Sequence, residues 1–134
     1  TAFGVLVAVW QLWESRKVAK TQFEDSLNAQ YRALLAELPL EALLGKELSP
    51  TALTESLRVF YRYFDLSNEQ AFLHEKNRVR PETWANWRDG ITQNMARPAF
   101  RQAWERLLPD LDGSFDELKG VVRSLAPSNN NNAT

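Results

Sequence analysis

Phe23-Glu24-Asp25-Ser26-Leu27-Asn28-Ala29-Gln30-Tyr31-Arg32-Ala33-Leu34-Leu35-Ala36-Glu37-Leu38 is the stretch that decides the fold. Its apolar side chains at Phe23, Leu27, Tyr31, Leu34 and Leu38 are spaced by four, four, three and four residues. That is one stripe of an α-helix, with one face to be buried. Residues 14–38 contain no proline or glycine, so nothing stops the helix before Pro39.

Upstream, the chain reads Ala2-Phe3-Gly4-Val5-Leu6-Val7-Ala8-Val9-Trp10-Gln11-Leu12-Trp13, with no charged side chain up to Trp13. Arg16, Lys17 and Lys20 follow at once. An apolar run that ends in tryptophans and then basic residues is the pattern of a transmembrane helix leaving a bilayer on its cytoplasmic side. Thirteen helical residues rise about 20 Å, whereas a span needs about 20 residues. Residues 1–13 are therefore expected to be the C-terminal part of a transmembrane helix, completed by about seven or more apolar residues ahead of them. Trp10, Trp13, Arg16, Lys17 and Lys20 would mark the membrane interface, with lipid as a partner. A run of this kind also suits a helix buried in its own core or in a dimer. A signal-peptide remnant fits less well, because no small-residue cleavage site follows.

Downstream, residues 14–126 are expected to form one cytoplasmic helical domain. Pro39 to Gly45 reads as a helical turn closed by glycine. Ser49-Pro50 opens a second long helix, as N-cap and first helical residue, with a stripe of Leu53, Leu57, Phe60 and Phe64. This helix is expected to run to about Lys76, or to break near Ser67-Asn68. Pro81 starts a helix carrying Trp84, Trp87, Ile91 and Met95, and Arg97-Pro98 breaks it. A further helix carries Phe100, Trp104, Leu107 and Leu108. Ser114 and Glu117 are placed as a capping box opening the last helix, which holds Leu118, Val121, Val122 and Leu125. Pro127 closes it. Residues 127–134, with four consecutive asparagines, are too polar to fold alone. The fold class is all-α: a long N-terminal helix continuous with a transmembrane segment, followed by a small helical bundle.

Composition narrows the function classes. The 134 residues are 44% hydrophobic and 25% charged, with a formal net charge of −1. A near-neutral balance disfavours nucleic acid as a partner. The absence of cysteine removes disulfides, thiolate catalysis and cysteine-held metals. His74 is the only histidine, with Gln70 one turn back on its face. A surface or half-buried helix histidine is the expectation, since a lone imidazole has no metal-binding or orienting partner here. The segment beginning at Asp110 imitates a calcium loop, but its sixth and twelfth positions are Phe115 and Val121 where glycine and glutamate are required. No catalytic, cofactor or metal residue is therefore assigned.

Arg78, Arg80, Arg88, Arg97 and Arg101, interleaved with Trp84, Trp87 and Trp104, are the candidate surface for a protein or lipid partner. Helical spacing of the tryptophans also predicts a simpler arrangement, with the rings in the core and the arginines outside. Arg62 and Asp65 are expected to pair along one helix face.

Three stretches carry a resemblance: Trp13-Glu14-Ser15-Arg16-Lys17 leading to Phe23 and Tyr31-Arg32; Tyr61-Arg62-Tyr63-Phe64-Asp65-Leu66; and Trp84 to Trp104, ending in Phe100-Arg101-Gln102-Ala103-Trp104. With these the chain resembles a family of uncharacterised bacterial membrane proteins that have one N-terminal span and a compact helical cytoplasmic domain. The resemblance implies topology and fold, and no catalytic residue. The expected function is a non-enzymatic, membrane-anchored accessory or scaffolding subunit that joins other protein subunits. The alternative is a soluble helical sensor or regulatory domain whose apolar N-terminal helix packs in its own core or in a dimer.

Overall fold

Two prolines and a glycine divide the N-terminal part of the chain where the backbone chemistry requires it. A computed structural model of the protein describes residues 2–126, with the side chain of Lys20 outside what is described. The expected polar tail at 127–134 and the expected closure at Pro127 lie outside the described residues.

Helix α1 runs unbroken over Ala2–Glu37, as its lack of breakers after Gly4 predicts. Pro39 ends it, and the short α2 (Leu40–Leu43) follows. Gly45, at φ +78°, turns the chain out of α2 in the left-handed region that glycine enters without steric cost. Helix α3 (Pro50–Glu75) begins as its sequence predicts, with the Ser49 hydroxyl accepting from the Ala52 amide at 3.2 Å and proline at the first helical position. It passes Ser67-Asn68 without a break. Helices α4 (Pro81–Met95) and α5 (Pro98–Leu107) each start on a proline, and a 3₁₀ turn at Leu108–Asp110 precedes α6 (Asp116–Leu125).

α3 is the hub, packing against α1, α4, α5 and α6. Its buried face is aromatic. Phe60 and Tyr63 each meet Phe100 of α5 edge-on, with ring centroids 5.2 Å apart, and Phe64 meets Trp104 at 5.0 Å. Edge-to-face contacts are the preferred geometry for such rings. A second apolar cluster joins Leu27 and Leu34 of α1 to Leu66 and Leu73 of α3 and Trp87 of α4. Phe23, the first residue of the α1 stripe, stays 42% exposed, so the buried face begins with its neighbour Glu24.

The expected membrane span is corrected. Among the described residues no helix is long and apolar enough to cross a membrane. α1 has 36 residues, but its uncharged part ends at Trp13 and Glu14, Arg16 and Lys17 follow within one turn. About 18 Å of uncharged helix stands against the roughly 30 Å of a hydrocarbon core. Placement in a membrane as a single-span protein therefore has no spanning element behind it among the described residues. The expectation that this run packs into its own core is corrected too: Phe3, Val5, Leu6, Val7, Val9, Trp10, Leu12 and Trp13 are all exposed.

The capping box at Ser114 is also replaced. α6 starts at Asp116, its N-cap is Phe115, and no side chain of that N-cap closes the helix. Phe115 sits at φ +56°, a strained position for a bulky residue. Its ring is buried and lies 5.2 Å from the Tyr61 ring, which offsets the strain with apolar contact.

Candidate functional site

Three helix or loop backbones are completed by side chains far away in sequence. The Glu24 carboxylate on α1 accepts from the Arg80 amide at 3.2 Å, the Arg80 guanidinium at 2.7 and 3.1 Å, and the Thr83 hydroxyl at 2.8 Å. Arg80 is the N-cap of α4, so an acid from another helix does the capping. Asn68 Oδ1 on α3 accepts from the Leu118 amide in the first turn of α6 at 3.0 Å. Gln102 on α5 clamps the loop before α3, accepting from Leu48 N at 2.9 Å and donating to Leu48 O at 3.2 Å.

Glu24 is only 2% exposed. Burial pushes its carboxyl up, but the hydrogen bonds from Arg80 and Thr83 and the Arg80 charge outweigh that and hold it below the ordinary 4.5. Contact with Glu24 in turn raises Arg80.

The α1–α4 seam continues one turn on. Trp87 Nε1 donates to Asn28 Oδ1 at 2.7 Å. Further along, Asn94 Nδ2 donates to both the Tyr31 and the Tyr63 hydroxyls at 3.0 Å, and Asn94 Oδ1 accepts from Arg97 at 2.9 Å. Three of the four hydrogen-bonding positions of the Asn94 amide are thereby filled. Burial pushes the Tyr63 hydroxyl up to about 12, against the lowering effect of Asn94. Between the Asn28 and Asn94 bonds lies a pocket of about 190 Å³, bounded by α1, α3 and α4.

The basic residues singled out in the sequence have separate duties. Arg80 holds Glu24, Arg97 holds Asn94, and Arg88 reaches Ser124 of α6 at 3.4 Å. Arg78 is exposed in the α3–α4 loop. Arg101 is exposed and edges a groove beside Trp104 and Leu125. Trp87 and Trp104 are buried and Trp84 half-buried, which is the rings-inside arrangement. Arg62 pairs with Glu37 of α1 at 2.8 Å and not with Asp65. His74 is exposed and stacks on Trp84, with centroids 4.4 Å apart and planes 7° apart.

At the other end of α1, Trp10 and Trp13 are 61% and 62% exposed. The Lys17 ammonium lies over the Trp13 ring, 5.6 Å from its centroid, a contact between residues four apart on one helix. The proximity of tryptophan and base that suggested a membrane interface is met within the helix itself. Arg16 is exposed, and the side chain of Lys20 lies outside the described residues. Among the described residues no three acidic or histidine side chains gather to hold a metal ion.

Sequence reading missed the roles of Glu24, Asn68, Asn94 and Gln102. The one available signal was phase: Glu24, Asn28, Tyr31 and Leu38 fall on a helical stripe, so a charge there demands a partner. Comparison with protein-family models, curated proteins and solved structures finds no match to this chain.

Proposed function

We propose that the chain is a non-catalytic regulatory helical module that works by self-association through the N-terminal part of α1. The observation that carries this is α1 itself: one unbroken helix, anchored in the bundle from Glu24 onward and bare from Ala2 to Trp13. Eight large apolar side chains in that bare part are between 41% and 78% exposed. Contiguous exposed apolar surface marks an interaction site, and a helix with apolar side chains around most of its circumference is one that becomes buried around most of it. Residues 2–13 carry no charge, so identical copies meet there without repulsion. A single neighbour covers one side only, which favours an assembly of several such helices.

The test is sedimentation equilibrium across micromolar concentrations. A reversible oligomer of fixed stoichiometry is expected for the unaltered chain. The double variant Val5→Glu, Val9→Glu is expected to be monomeric with an unchanged bundle melting temperature. A monomeric unaltered chain, or aggregation without a fixed stoichiometry, would overturn the reading.

A further inference from the structure

We infer that the pocket between α1, α3 and α4 is a binding site for a small, neutral, planar molecule carrying a hydrogen-bond donor beside an acceptor, such as a primary carboxamide or a nucleobase edge.

The first observation is Gln70. It is 4% exposed, lines the pocket, and makes no side-chain hydrogen bond among the described residues. Every fully enclosed side-chain nitrogen or oxygen among those residues has a partner. Gln70 thus lines the pocket with a carbonyl acceptor and two N–H donors that have no partner among the described residues.

The second observation is Gly90, in the middle of α4. A glycine there weakens the helix relative to alanine, and packing does not require it. A Cβ built on Gly90 would meet nothing nearer than the Tyr31 hydroxyl at 4.0 Å. What the missing side chain leaves is pocket.

The walls define the ligand. Tyr31 and Trp87 supply aromatic surface and Ile91 an apolar patch. Asn28 Oδ1 is occupied by Trp87, which leaves the Asn28 N–H groups to donate. The Tyr31 hydroxyl accepts from Asn94 and keeps its own proton to give. Asn86 at the rim adds another amide. No charged side chain lines the space, so an ion would lose its hydration without a counter-charge. At about 190 Å³ the pocket has the volume of about six liquid waters, room for one or two small rings. The inference does not need the self-association proposed above: titration reads the pocket, and sedimentation reads α1.

The test is an NMR titration of the whole chain, following the Trp87 indole N–H signal as assigned with Trp87→Phe. Nicotinamide, adenine and uracil are the neutral probes. Nicotinate, which has the shape of nicotinamide but a negative charge, is the control. At least one neutral probe is expected to shift the signal saturably, with nicotinate at least tenfold weaker than nicotinamide if nicotinamide is that probe. Gln70→Leu is expected to weaken binding tenfold or more. Gly90→Leu is expected to abolish it without lowering the melting temperature. Should Gly90→Leu fail to fold, Gly90→Ala decides, with binding at least threefold weaker and an equal or higher melting temperature. No saturable shift by any neutral probe, equal binding of nicotinate, or undiminished binding in the Gly90 variant would overturn the inference.

Discussion

The two ends of α1 share one backbone and differ in everything else. From Glu24 to Glu37 the helix buries leucines against α3 and sends Glu24, Asn28 and Tyr31 into hydrogen bonds with α4. From Ala2 to Trp13 it carries more apolar surface per turn and buries none of it. Hydrophobicity therefore does not decide which end belongs to the bundle. The anchored end has polar groups at the right phase to meet named partners, whereas the bare end carries three valines and a single polar amide, Gln11, which is exposed.

The largest expected effect separates the two ends by stability. Leu34→Ala should cost about 2–5 kcal/mol in urea unfolding, the ordinary cost of a cavity at a buried leucine. Leu6→Ala, at a 68% exposed position, should change the same midpoint by less than about 0.5 kcal/mol when both chains are measured at a concentration where they are monomeric. Equal effects would mean that the bare end contributes to the bundle.

Alkali tests the α3 core against which the anchored end packs. The buried Tyr63 hydroxyl titrates at about 12 when folded and at 10 when unfolded, so its protonated form is favoured by folding. Its contribution is complete below pH 10 and lost as pH rises towards 12, on the order of 2–3 kcal/mol. Unfolding midpoints measured over that range should fall, and less steeply in Tyr63→Phe.

Acid gives a smaller effect of opposite direction. Glu24 titrates below its ordinary 4.5 when folded, so its contribution is present above 4.5 and disappears as pH falls through the depressed value. Glu24→Gln should cost about 1–3 kcal/mol at neutral pH and flatten the acid limb of the stability profile. A Glu24→Gln profile parallel to that of the unaltered chain would remove Glu24 from the lock. The smallest effect belongs to the bare end: Gly4→Ala should raise helicity by circular dichroism, a change of at most about 1 kcal/mol in local helix propensity, and leave the bundle midpoint unmoved.

Much of this architecture could be read from local chemistry. Pro39, Pro81 and Pro98 mark real helix boundaries, Ser49-Pro50 caps α3, and the stripes at Phe60, Phe64, Trp87, Ile91, Met95, Phe100 and Trp104 are core. What failed was reading each helix end as closed by its own neighbours. Ser114 and Glu117 have capping-box spacing, yet Phe115 takes the left-handed turn and Asn68, 50 residues away, supplies the acceptor. Glu24 closes α4 across 56 residues and Gln102 clamps Leu48 across 54. A bond over such separations has no local pattern, only the hint of a polar residue at a buried phase. The membrane reading failed for a related reason. Tryptophans beside basic residues suggest an interface when they follow a span, but among the described residues no helix is long and apolar enough to be one, and Lys17 lies over Trp13.

The continuity of α1 makes it a ruler and a compass at once. Each residue between Glu14 and Gln22 sets both how far the bare end stands from the bundle and which way it points. Adding one residue there would advance that end by about 1.5 Å and swing it by about 100°. Adding seven would carry it roughly 10 Å further and return it to nearly its original bearing. Whatever meets Phe3 to Trp13 therefore does so at a distance and azimuth fixed by the count of residues back to Glu24.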